Sequence, residues 1–167
     1  MTTLEIIQRK IYDIPSLNHF LSVHRFFNRK IVFTNGCFDI LHLGHIDYLS
    51  KAADLGDVLI VGVNTDASTS RLKGKHRPIN SQDQRSMLLA SLHFVDGVVL
   101  FDEDTPQELI KAVRPSILVK GSDYSPETIV GADFVKSYGG KVQTIDFLPG
   151  FSTSSIEERI RAGKNNS

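Results

Sequence analysis

An α/β fold, one doubly wound (Rossmann-like) parallel sheet of five strands with helices on both faces, follows from three observations on this chain. Five short runs rich in β-branched residues stand out, at 31–33, 58–63, 98–101, 117–119 and 142–147. Most are continuously apolar, as strands covered on both faces must be. Segments with apolar residues at helical spacing fill the gaps, and strands alternating with helices make a parallel sheet.

The first strand is preceded by "LEIIQRKIY" and "SLNHFLSVHRFF", two patterns that read as amphipathic helices. They form an N-terminal helical extension, residues 1–27, ahead of a main domain at 28–162. The first strand gives way to a polar turn, Thr34-Asn35-Gly36. Ile46, Leu49 and Ala53 then recur at helical spacing before Gly56, a helix stop. "SQDQ" opens another helix, where Ser81 and Gln84 are spaced as a capping box and Met87, Leu88 and Leu92 follow. "DTPQELIKAV" offers a cap residue, a proline suited to a first turn, and Glu108 three residues after Thr105. Pro115 ends that helix, because the residue before a proline avoids helical geometry. Residues 163–167, "GKNNS", are expected to fray. No repeat, low-complexity tract or linker interrupts the chain.

Composition narrows the function. The content is 41% hydrophobic and 23% charged, ordinary for a folded domain, over 167 residues. Nineteen basic residues balance nineteen acidic ones. No global field draws nucleic acid or an anionic membrane, so neither is expected as a partner and any anion site must be local. The single cysteine, Cys37, allows no internal disulfide and fits a reducing compartment. "MTTLEIIQRK" lacks a signal-peptide core, and nowhere do eighteen apolar residues run together, so a soluble, cytoplasmic protein is expected.

The chemistry gathers in "CFDILHLGHIDYL", residues 37–49. Ligands of open parallel sheets bind beyond the carboxyl ends of the strands, at a switch in strand order. This segment leaves the first strand at that end. With Gly44 near a helix start, unpaired backbone amides and the helix dipole favour an anion. His42 and His45, three apart, share one helix face and can point at one oxyanion. Gly44 would let a phosphate approach the backbone without meeting a Cβ. On spacing alone, structural histidines and a simple glycine turn explain the same letters. Neither a GxGxxG fingerprint nor a Walker loop occurs, which argues against dinucleotide and NTPase folds.

"TNGCFDILHLGHIDYL" resembles the HxGH signature of the nucleotidylyltransferase superfamily, in the branch that includes glycerol-3-phosphate cytidylyltransferase. The likeness continues through "VGVNTDAS", "RLKG", "RPIN…QR", "VKGSDY" and "PGFSTSSI". The whole set is most similar to the adenylyltransferases that activate D-glycero-β-D-manno-heptose 1-phosphate, as separate proteins or as C-terminal domains of bifunctional kinase–adenylyltransferases. It covers roughly residues 28 to 162. The resemblance implies transfer of AMP from ATP to heptose 1-phosphate, giving ADP-heptose and pyrophosphate. It also implies Mg²⁺ bound with ATP, since hard oxygen ligands suit it, and a separate sugar kinase. No all-protein metal site is visible. The N-terminal helices lie outside the likeness and are free to pack across a homodimer interface. A cytidylyltransferase acting on a small alcohol phosphate is the alternative. That branch usually carries arginine just before the last motif, where this chain has "FLPGFST", and often where His93 stands.

Phosphate attack on an α-phosphorus is mostly positioning and charge stabilisation. The resemblance gives His42, His45 and Lys73 the catalytic roles. It makes Thr34, Asn35, Gly36, Cys37, Phe38 and Gly44 a nucleotide-binding loop, with Cys37 contributing backbone and a small buried thiol. Lys73 is a mobile point charge in "SRLKGKHRP", or one of a solvated basic group with Arg71, Lys75, His76 and Arg77. Lys120, Gly121 and Asp123 line the nucleotide pocket, or form a plain strand-end turn. Ser152, Thr153 and Ser154 match a second signature at a helix start that binds triphosphate. A capping box of Ser154 with Glu157 explains the same residues. Three residues fall to the substrate side. Asp39 orients a histidine, faces substrate, or caps the helix. Asp66 contacts substrate or metal, or caps the next helix. Arg85 reaches a phosphate, or is an exposed helix arginine.

Overall fold

The computed structural model describes residues 1–125 and 128–163. The helices are α1 (Thr3–Gln8), α2 (Ile14–Phe26), α3 (Leu43–Ala53), α4 (Asp66–Lys73), α5 (Gln82–Ser91), α6 (Gln107–Val113), α7 (Ala132–Ser137) and α8 (Thr153–Gly163). The strands are β1 (Ile11–Tyr12), β2 (Ile31–Gly36), β3 (Val58–Asn64), β4 (Gly97–Phe101), β5 (Ile117–Gly121) and β6 (Lys141–Ile145). All pair in parallel in one sheet, in the order β1-β4-β3-β2-β5-β6.

Alternation along the strands feeds two cores. Ile31 and Phe33 of β2 point into one, with Leu17 and Leu21 of α2, Leu109, Ile110 and Val113 of α6, and Val135 of α7. Val32 points into the other, with Leu49 and Ala52 of α3 and Leu89 and Ala90 of α5. The doubly wound sheet expected from the continuous apolar runs is therefore present. The chain leaves β2 for β3 and β4 on one side and returns to β5 and β6 on the other. The switch point lies between β2 and β5, and their carboxyl ends frame a crevice.

Several expectations need correction. The sheet has six strands, not five, because Ile11 and Tyr12 pair with Val98 and Val99 at its edge. The first 27 residues thus join the sheet, and "LEIIQRKIY" is a helix only as far as Gln8. Two residues are too few to show a strand pattern, and tertiary pairing alone holds them. Thr34-Asn35-Gly36 is not a turn but the end of β2, paired with Val61, Gly62 and Val63. The last strand stops at Ile145. The capping box of Ser81 with Gln84 forms as expected. Thr105 and Glu108 form none; Pro106 is the cap residue of α6, without a side-chain bond. Within the tail expected to fray, Gly163 ends α8, and residues 164–167 lie outside the described residues. Among the described residues no helix is long and apolar enough to cross a membrane.

Candidate active site

β2 delivers Asn35, Gly36, Cys37 and Phe38 to the switch point, and the chain reaches α3 through residues 39–42. His42 is the N-cap residue of α3, in extended conformation and without a side-chain capping bond. His45 follows one turn later, and the two rings stack with centroids 3.9 Å apart. Phe38 sits edge-on to His45 at 5.4 Å. The two rings are brought together, although His42 stands at the helix boundary and not within the helix. A Cβ on Gly44 would meet the His42 ring at 3.0 Å and Phe151 at 3.1 Å. Glycine there makes room for the protein's own side chains.

Both imidazoles are left polar and unanswered. Among the described residues, the Nδ1 atoms of His42 and His45 are buried without a hydrogen-bond partner. Burial lowers the pKa of His42. It pushes His45 down to about 4, helped by the charges of His42 and Lys73. Both rings are thus held neutral near pH 7, as hydrogen-bonding groups in a partly dry crevice.

Three cavities adjoin here: His45 lines two of them, the third shares walls with one of these, and His42 lines none. A lobe of about 360 Å³ is lined by Phe38, Asp39, His45, Lys73, Arg77, Thr153 and Ser154. A second, of about 230 Å³, lies between the β2 end and the segment after β5, where Lys120, Gly121, Asp123, Tyr124 and Phe147 close it. A third, of about 370 Å³, opens toward Asn64, Leu72, Thr105 and Pro106 and shares Asn35, Gly36, Cys37, Lys73 and Lys120 with the second. Lys73 touches all three. It is the last residue of α4, exposed, with Gly74 at φ 103 ending the helix. The expected loop lysine is a helix-end lysine, and it forms no ion pair among the described residues.

The expected residues sort themselves by what they touch. Asn35, Gly36, Cys37, Phe38, Lys120, Gly121 and Asp123 line the cavities beside His45 and Lys73. Thr153 and Ser154 line the lobe at the start of α8. Ser152 instead caps that helix, its Oγ accepting from the Ser155 amide at 3.0 Å, so the box of Ser154 with Glu157 is replaced by one a residue pair earlier. Thr34 is corrected too: it is fully buried, its hydroxyl 2.8 Å from the Tyr48 hydroxyl.

The three substrate-side candidates all hold other parts of the chain. Asp39 accepts from the amides of Ile79 at 2.7 Å and Asn80 at 2.9 Å and from the Arg77 guanidinium at 2.8 Å. Burial alone would raise its pKa, but those amides and Arg77 outweigh it and hold the carboxyl below its ordinary value. Its oxygens are fully used by the loop after Lys73. Arg77 also pairs with Glu157, tying that loop to α8. Arg85 is no exposed helix arginine: it is 0% exposed. Its Nε donates to Asn80 O at 3.0 Å, its Nη1 to Cys37 O at 2.6 Å and its Nη2 to Asp66 Oδ1 at 2.8 Å. Asp66 is thereby held by Arg85, and Thr65, not Asp66, caps α4. Sequence reasoning missed Asn64, Tyr124, Phe147 and Arg77. Asn64 was findable, as a polar residue at a strand's carboxyl end beside the switch point. The others reach the site from loops and a helix-to-loop strap that no local pattern marks.

A doubly wound parallel domain with an imidazole, lysines and a helix start lining its switch-point crevice has the architecture in which α/β domains bind ligands. Comparison with known proteins makes this specific: the chain belongs to the cytidylyltransferase-like family, which matches residues 33–159. The bifunctional protein HldE of Syntrophotalea carbinolica is 57% identical over 151 residues, covering 90% of this chain and 31% of that protein. HldE of Campylobacter jejuni serotype O:2 is 61% identical over 137 residues, covering 82% and 29%. The chain thus spans about a third of the length of these curated relatives. Among solved structures, a lipopolysaccharide core biosynthesis protein from Thermoplasma volcanium superposes with a TM-score of 0.57 at 32% identity, covering 72% of this chain and 97% of that one. Pantoate-beta-alanine ligase from Francisella tularensis, complexed with beta-gamma ATP and beta-alanine, shares the fold at a TM-score of 0.59 and 19% identity over 88% of this chain and 75% of that one.

Proposed function

We propose that the protein transfers AMP from ATP to heptose 1-phosphate, giving ADP-heptose and pyrophosphate. The observation that carries the reading is the lobe in which His45, Lys73, Thr153 and Ser154, from three separate helices, face one another. Neutral imidazoles, a lysine and hydroxyls at a helix start are donors suited to a polyphosphate chain. The heptose acceptor is supported by the motif set from "TNGCFDILHLGH" to "PGFSTSSI" and by the identity to bifunctional HldE proteins. A lipopolysaccharide core biosynthesis protein of the same fold points the same way.

An oxygen of the acceptor phosphate attacks the α-phosphorus of ATP. The bond from that phosphorus to the bridging oxygen of the β-phosphate breaks, and pyrophosphate leaves with the electron pair. No protein nucleophile is needed. His42 and His45 donate to phosphoryl oxygens as charge grows on them, and Lys73 neutralises the α-phosphate from the wall shared by all three cavities. Thr153 and Ser154 hold the β- and γ-phosphates. Mg²⁺ bound with ATP would supply positive charge to the triphosphate, while the lining donors His45, Lys73, Thr153 and Ser154 suit the phosphate itself. A kinase activity supplies the sugar 1-phosphate, in the cytoplasm where ATP is abundant.

The test incubates the purified chain with Mg²⁺, each nucleoside triphosphate and a panel of phosphorylated acceptors, reading pyrophosphate and product mass. ADP-heptose from ATP and heptose 1-phosphate is expected. Turnover with CTP and glycerol 3-phosphate in its place would replace the reading.

A further inference from the structure

Lys120 closes β5 at the switch point, where it is largely buried between two cavities. Its Nζ donates to Asn35 Oδ1 on β2, a neutral acceptor, and lies 5.6 Å from the Tyr124 ring centre. Among the described residues no carboxylate forms an ion pair with it. A buried ammonium whose partners are an amide oxygen and a ring face is incompletely compensated. The cavity side of that ammonium is where an anion would complete its shell.

The same floor separates the work of the two lysines. Lys73 reaches the lobe that holds His45, Thr153 and Ser154, whereas Lys120 does not line it. Lys120 instead faces the cavity of about 370 Å³ whose far walls are Asn64, Leu72, Asp104, Thr105 and Pro106, the Asp104 carboxylate being held by Arg71 at 2.8 Å. That cavity has no α8 residue in its lining and mixes a few polar groups with apolar walls, the character of a site for a polyol on a phosphate. Lys73 lines both spaces, as a residue beside the atom undergoing transfer must.

Resting on the adenylyl-transfer reading, the geometry points to this cavity as the acceptor subsite, with Lys120 binding the acceptor's phosphate monoester and Asn64 facing its hydroxyls. This moves Lys120 from the nucleotide to the second substrate. Two anions then enter from opposite sides, each met by its own lysine, and their mutual repulsion is offset where they must touch. Asn35 holds the Lys120 ammonium in place between turnovers.

Burial pushes the Lys120 pKa down to about 8, with the charges of Asp123 and Cys37 acting the other way. The other titratable groups facing it across the cavities are Lys73, His45, Tyr124 and Asp104. Loss of the ammonium's proton above about 8 must therefore weaken acceptor binding in the wild-type protein.

The experiment fills the nucleotide site of the full chain with Mg²⁺ and a non-reactive ATP analogue. Heptose 1-phosphate, glycerol 3-phosphate and inorganic phosphate are then titrated in by calorimetry. Lys120→Met is expected to weaken phosphate binding at least thirtyfold while changing affinity for the ATP analogue less than twofold. Lys120→Arg is expected to restore most of it and to abolish the loss above pH 8. Equal weakening of nucleotide and acceptor, an unchanged acceptor affinity in Lys120→Met, or no phosphate binding to the wild type would each overturn the assignment. Binding of phosphate through Lys120 without turnover of heptose 1-phosphate would remove the sugar reading and leave the subsite standing.

Discussion

Along one wall of the crevice, Asp39, Arg77, Arg85 and Asp66 direct their charges at the protein itself. Across from them, among the described residues, His42 and His45 have buried Nδ1 atoms without partners, Lys73 forms no ion pair, and Lys120 has only the neutral Asn35 oxygen as a hydrogen-bond acceptor. Arg85 has all three guanidinium nitrogens engaged and no exposed surface. The His45 ring, a short way off, has a buried Nδ1 with no partner. A fold places unanswered polar groups in a dry crevice only at a cost in stability, and function is the usual compensation. The contrast therefore separates framework from chemistry among residues that belong to the same motifs.

The sharpest way to break the contrast is His45→Ala. Turnover should fall by about two to three orders of magnitude, the usual scale for removing one preorganised donor to a transition state. The melting temperature should stay within about 4 °C, because the lost ring leaves no broken hydrogen bond at its buried Nδ1. Near-normal turnover would place His45 among the framework residues. Arg85→Met probes the opposite wall. Breaking a buried, fully paired guanidinium should cost about 3 kcal/mol, partly softened because Asp66 keeps contact with solvent. Urea unfolding measures this. A normal unfolding midpoint joined to a raised KM for the acceptor would make Arg85 a substrate residue after all.

The two walls also differ in acid. His45 has a folded pKa of about 4, below the ordinary histidine value of 6.5, so the unfolded chain takes up a proton first. Its contribution to stability is complete above about pH 6.5 and is lost as pH falls toward 4, by up to about 3 kcal/mol. Comparing unfolding of wild type and His45→Ala between pH 7 and 4 isolates it. The variant should show the shallower decline, and identical slopes would mean that His45 is solvated.

The sheet was legible because its strands are buried on both faces, and that requirement writes continuous apolar runs. β1 was not, since two residues carry no period and only the edge of β4 makes them a strand. The HxGH pair was legible as a place for chemistry because a strand end, a helix start and two imidazoles coincide locally. Asp39, Asp66 and Arg85 belong to equally recognisable stretches, yet nothing local shows the intramolecular partners they have. What decides them is contact across some 20 to 50 residues: Asp39 with Ile79 and Asn80, Arg85 with Cys37 and Asp66. A motif fixes which residue types recur. It does not say whether a charge faces a ligand or another part of the chain.

Asp39→Asn gives the smallest expected effect and the finest distinction. The carboxylate serves two backbone amides and one guanidinium, and an asparagine of the same shape keeps one acceptor for the amides. Its amide nitrogen must then meet Arg77, donor against donor. The loss should be about 1–2 kcal/mol at pH 7, in the range of a hydrogen bond to a charged group. Because the folded pKa of Asp39 lies below its ordinary value, this stability exists above the unfolded pKa and disappears as pH falls through the folded one. Wild type and variant should therefore differ at pH 7 and converge in strong acid. Turnover should fall less than fivefold, through loosening of the loop that Arg77 ties to α8. A variant with unchanged stability and a much raised acceptor KM would move Asp39 to the other wall.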